Sequence, residues 1–210
     1  MITFVFFISG FAALLYQVVW QRTLFALYGI NVESVTVIVT AFMLGLGVGS
    51  LLGGVLSKRP GVSALAAFAV FEAGIGLFGL FSLSLITAVG RATLQWSAPA
   101  IAVTSFLLVL APTTLMGATL PLLVAHESRI SGNVGRSVGL LYCVNTLGSA
   151  FASFAGALFL MKHIGQFGTV RIAAALNLTA SLLVFLRYGL LPYRAKAAAL
   201  AARSSTDRTS

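Results

Sequence analysis

Six times between Ile2 and Leu191 the chain runs for roughly 20 residues or more with almost no charge. No other feature constrains the fold as much. A segment of that length at about 1.5 Å per residue crosses a hydrocarbon layer about 30 Å thick, and in that layer every backbone amide must be bonded within its own segment. The runs predict an all-α integral membrane protein of six transmembrane helices in a compact bundle. The spans expected are about 2–20, 34–56, 62–89, 98–125, 137–161 and 169–191, with a basic, largely disordered cytoplasmic tail over 192–210. After the first span, "TLFALYG" is too short to cross and is expected along the interface. A secretory signal is the rival for the first run. It requires a positive leading region, and no lysine or arginine precedes Arg22.

Charge supports the same class. Only 8% of residues are charged, and the net charge of +9 comes from basic residues that stand singly or in pairs between apolar runs. That pattern excludes a nucleic-acid face and gives the bilayer, through its lipid phosphates, as the expected neighbour. The lone cysteine, Cys143, forms no intrachain disulfide. Lys58, Arg59, Arg129, Arg136, Arg187, Arg194, Lys196, Arg203 and Arg208 fall on one side of the predicted topology, and Arg22, Arg91, Lys162 and Arg171 on the other. Both termini are therefore expected in the cytoplasm. Trp20, Trp96 and flanking tyrosines read as interface anchors, and Arg22 as a snorkelling terminus.

Within the spans, Gly45, Gly49 and Gly53, and again Gly148, Ala152 and Gly156, fall four apart and form smooth stripes for helix packing. "GLGVG" as a phosphate loop would have to follow a strand at an aqueous edge, and it lies inside a span. In "APTTLMGATLP", Pro112 and Pro121 predict a kinked fourth helix, with a kink or partial unwinding near 111–117. Thr113, Thr114 and Thr119 either cap the carbonyls freed there or line a polar site.

Glu72 is one of four acidic residues, with Glu33, Glu127 and Asp207, and it alone sits deep inside a span. An ionisable group there is costly, about 2.5–3.5 kcal/mol on insertion scales, so it should face the bundle interior and find partners. The candidates are Tyr16, Gln17, Tyr142, Asn145, Asn177 and the threonines of the fourth helix. Two readings stand: a protonated hydrogen-bond element between helices, or a cation or proton site. Asn145 and Asn177 also suit interhelical bonding alone. His126 and His163 fall at opposite membrane edges and cannot share a metal; no metal, cofactor or catalytic group is expected.

"SGFAALLYQVVWQRTL", "AFMLGLGVGSLLGG", "APTTLMGATLPLL" and "SVGLLYCVNTLGSAFASFAGALFL", in this order, resemble the membrane half of the transmembrane spermidine-synthase-like proteins, also described as fused transporter/spermidine-synthase proteins. The resemblance covers roughly residues 5–190. It implies a bacterial inner-membrane protein whose relatives continue into a soluble, Rossmann-like aminopropyltransferase domain. Four scattered acidic residues do not make an aminopropyl transfer site, and the segment after Leu191 is too short to fold. The chain is thus expected to be no enzyme by itself, but an anchor or assembly subunit for a soluble enzyme, a membrane complex or a second copy of itself. The alternatives are a transporter-like or polyamine- or cation-binding module centred on Glu72, and the membrane half of a split enzyme. Against a major-facilitator half, "LSKRPG" between the second and third spans lacks the usual aspartate.

Overall fold

The computed structural model describes residues 1–29 and 31–189, except the side chains of 31–34 and 189. The tail over 192–210, the last residues of the sixth predicted span and the Glu33 side chain lie outside this set. The described residues form six helices: α1 (Ile2–Tyr28), α2 (Asn31–Ser57), α3 (Ala64–Thr93), α4 (Ala98–Ser131), α5 (Val134–His163) and α6 (Gly165–Tyr188). Each is long and apolar enough to cross a membrane. Connections are short, so successive helices run antiparallel, and α1, α3 and α5 share one direction while α2, α4 and α6 share the other. Gly132 ends α4 in a left-handed conformation, φ 67°, its amide donating to the Ser128 carbonyl at 3.0 Å. Half of the most apolar window of α1 and of α4 is buried, against 17% for α5, so the first two are central and α5 is peripheral.

Three sequence expectations change. The first helix does not stop near Trp20. "TLFALY" continues it, because no breaker occurs before Gly29 and because Thr23 and Leu24 are buried; Tyr28 bonds Thr93 through their hydroxyls at 3.1 Å. Trp20 is no interface anchor, since it is fully buried, stacks on Tyr16 and donates its indole N–H to Ser82 Oγ at 3.0 Å. Trp96, by contrast, is exposed in the α3–α4 connection. Finally, of the kink or partial unwinding expected near 111–117, the unwinding does not occur: α4 stays helical through both prolines. Proline 121 leaves the Gly117 carbonyl without its helical donor, and Ser50 Oγ of α2 supplies one at 3.2 Å. Around Pro112, the single hydroxyl proton of Thr113 is shared among carbonyls in reach, those of Val109 and Leu110 at 3.0 Å and of Ala41 at 3.1 Å, and Thr114 donates to that of Leu110.

The small-residue stripes are used as packing surfaces. A side chain at Gly45 would meet Thr113, one at Gly49 would meet the backbone of Thr114, Gly117 and Ala118, and one at Gly53 would meet the Ala118 backbone. Gly148 lies against the Phe7 carbonyl of α1, and Gly156 against Leu15 at the start of a wider, π-type turn over Gly156–Leu160. Ala152, between them on the stripe, is fully buried. With hydrocarbon on both sides of the comparison, it is this close contact, and not water exclusion, that holds membrane helices together.

The α1–α3 seam has a different rhythm. Ser9, Tyr16 and Thr23 on α1 are buried at intervals of seven, and so are Glu72, Gly79, Ile86 and Thr93 on α3. A repeat of seven keeps one face of each helix turned toward the other in a left-handed crossing. Ser9 meets Glu72 and Tyr16 meets Gly79, so the two helices run parallel at constant register.

Candidate polar site between three helices

Glu72 occupies the rung of that seam where α6 also approaches. Eight residues of α3 separate it from Ala64, about 12 Å at the helical rise. Its side chain has no exposed surface. Ser9 of α1 donates its hydroxyl proton to Oε1 at 2.5 Å, and Asn177 of α6 donates from Nδ2 to Oε2 at 2.5 Å. One carboxyl group thus ties three helices together. Next along the α3–α6 contact, Ser181 donates to the Ala69 carbonyl at 2.6 Å, and at Gly76 the two backbones close to where a side chain would strike Ala174 and Leu178. These contacts fix α6 antiparallel to α3 and hold the amide of Asn177 against the acid.

Both partners of Glu72 are neutral. The bonds leave Asn177 Oδ1 buried and unpartnered, with the residue 2% exposed. Each carboxylate oxygen accepts a single bond from these partners and keeps a second lone-pair position.

The other residues singled out from sequence are elsewhere. Tyr16 is fully buried and within electrostatic reach of Glu72, but its hydroxyl lies against Gly79, two turns along, and is unpartnered. Gln17 is half-buried on the same helix and forms no hydrogen bond with Glu72. Asn145 packs its side chain and carbonyl against Gly10, where Ser149 also donates to the Gly10 carbonyl at 3.0 Å, so it belongs to the α1–α5 crossing. Tyr142 is 62% exposed on the outer face of α5 and is no partner for the acid. Thr113 is buried in the α2–α4 contact, where it also donates to the Ala41 carbonyl at 3.1 Å; Thr114 bonds only within its own helix. Thr119 likewise donates to Met116. The fourth-helix threonines bond main-chain carbonyls, though not those of Leu108 and Gly117 that the prolines free, and do not join the acid. Among the described residues, no three His, Cys, Asp or Glu side chains gather as a metal-binding group.

Ser9 and Ser181 were not singled out from the sequence. A serine in an apolar run is a weak signal by itself. The signal that marks Ser9 is its place in the seven-residue series with Tyr16 and Thr23, parallel to the series that begins at Glu72.

The fold and this junction define the chain as a helical membrane bundle with a polar, carboxylate-centred core. Two curated proteins are similar in sequence. One is polyamine aminopropyltransferase 1 of Streptomyces coelicolor, 28% identical over 179 residues, which is 85% of this chain and 32% of that protein. The other is the 3-(3-hydroxy-phenyl)propionate transporter of Escherichia coli, 34% identical over 125 residues, which is 57% of this chain and 27% of that protein. The matches thus take in about a third or less of these relatives' own length. No protein-family model and no solved structure matches the chain.

Proposed function

We propose that this chain is the membrane-embedded part of an aminopropyltransferase-like system, of the fused transporter/spermidine-synthase kind, and that its work is anchoring and assembly. In this reading the bundle holds a soluble catalytic unit, or a larger membrane complex, at the bacterial inner membrane with both termini in the cytoplasm. One observation carries it: the likeness to a polyamine aminopropyltransferase extends over 85% of the chain and therefore through most of the bundle, while using only 32% of that relative. A bundle of hydrocarbon-facing helices supplies attachment and position; the transfer of an aminopropyl group needs acids and a nucleoside seat that belong to a soluble domain.

Purification from native membranes in mild detergent tests this. The expected outcome is co-purification of an aminopropyltransferase-type catalytic unit, joined to the bundle or bound to it. A bundle recovered with no such unit, while aminopropyl transfer activity stays wholly in the soluble fraction, would count against it. Transport is the second reading, favoured by the 34% identity to a transporter over 125 residues. Solute uptake into proteoliposomes containing the purified chain alone would support that reading over the first.

A further inference from the structure

We propose that the junction of α1, α3 and α6 is a binding site for one monovalent cation, held by the Glu72 carboxylate with Ser9 Oγ and Asn177 Oδ1 as neutral oxygen ligands. The hydrogen-bond pattern is the starting point. Both carboxyl oxygens lie at hydrogen-bond distance from polar groups, Ser9 Oγ and Asn177 Nδ2, an arrangement that an ionised, acceptor-only carboxylate can use. The donors are a hydroxyl and an amide, so neither cancels the charge. A buried acid at this depth is either protonated or ionised beside a positive charge, and membrane proteins supply that charge with a paired side chain or with a bound ion; neither hydrogen-bond partner of Glu72 is basic.

The neutral partners fit the second solution. Donating the amide N–H leaves Asn177 Oδ1 buried with both lone pairs unused, a cost unless a donor or a cation meets them. Ser9 Oγ, having given its proton to Oε1, likewise turns lone pairs outward. One negative charge and two neutral oxygens suit a hard ion of charge +1, or the three N–H donors of a primary ammonium group. A divalent ion would leave the junction with a surplus charge in hydrocarbon.

The cation site is independent of what the bundle anchors.

The test is thermal unfolding of the full chain in detergent, titrated with sodium, potassium, ammonium and methylammonium chlorides, with N-methyl-D-glucamine chloride as the bulky control. A ligand that binds only the folded state raises the unfolding temperature saturably. The expected result is such a rise with at least one small cation, abolished in Glu72→Gln. In Ser9→Ala the half-saturating concentration should increase about fivefold, the loss of one neutral ligand. A response to the alkali ions identifies a bare ion as ligand, and a response confined to the ammonium salts identifies an amine. The proposal is overturned if no small cation exceeds the control, or if Glu72→Gln responds as the native chain does. Should Glu72→Gln fail to fold, Ser9→Ala decides, and an unchanged half-saturating concentration there overturns it equally.

Discussion

Two parallel helix pairs in this bundle differ in how closely their backbones approach. The α2–α4 pair presses backbone on backbone: Gly45, Gly49 and Gly53 lie against Thr113, Thr114, Gly117 and Ala118, and little but main chain separates the two axes. The α1–α3 pair stands apart on large and polar side chains, with Tyr16 and Trp20 stacked, Trp20 bonded to Ser82, and Ser9 bonded to Glu72. The first pair gains from dispersion along a smooth surface that tolerates no added atom, and its register is held by side chains that reach main-chain carbonyls, Ser50 to Gly117 and Thr113 to Ala41. The second gains from a few directional bonds, each of which fails if the helices slide. The difference teaches that where backbones touch, register is set by side chains bonding main-chain carbonyls, and where they stand apart it is set by side chains bonding one another.

Removing bulk should hurt the polar seam most. Trp20→Ala empties the centre of the α1–α3 contact and should cost about 3–5 kcal/mol, read as a shift in the detergent-denaturation midpoint. Adding bulk should hurt the other seam. Gly49→Val drives methyl groups into the Thr114 and Ala118 backbone and should cost up to about 3 kcal/mol in the same measurement. If the cost were negligible, the close contact of α2 with α4 would be wrong. Ser50→Ala removes the hydroxyl that satisfies the Gly117 carbonyl below Pro121, an expected loss of about 1 kcal/mol. Tyr16→Phe deletes a buried hydroxyl that has no partner and keeps the ring on Trp20; its stability should stay within about 0.5 kcal/mol of the native chain. A larger loss would place an unseen partner on that hydroxyl.

How far the molecule is legible in its sequence follows from the same contrast. Hydrocarbon imposes length and apolarity locally, so the runs themselves declare six membrane-length helices and an all-α class. Glycines four apart declare a packing face for a similar reason, since the feature is complete within one helix. The partners of Glu72 are a property of three helices at once. Tyr142, Asn145 and Asn177 are comparable polar residues on the last two spans, yet only Asn177 is turned toward the acid, while Asn145 meets Gly10 and Tyr142 faces outward. Trp20 misled because a tryptophan at the end of an apolar run suits the interface equally well, until the helix is seen to continue for two more turns. The prolines of α4 declare the break in local bonding, but not its repair, because the donor that compensates Pro121 sits on another helix.

The parallel pairing also governs the order in which the bundle can be completed. Helices enter the bilayer in chain order, and no tight parallel seam joins neighbours in sequence: α1 must wait for α3 and α5, and α2 for α4. Glu72 arrives with the third helix and finds Ser9 already there. Its second bond, to Asn177, forms only when the last helix comes in. Until that moment a nascent chain carries a half-satisfied acid in hydrocarbon, so the amide on α6 works as a closing latch, and a product truncated before it would be marked by its own exposed polarity as unfinished.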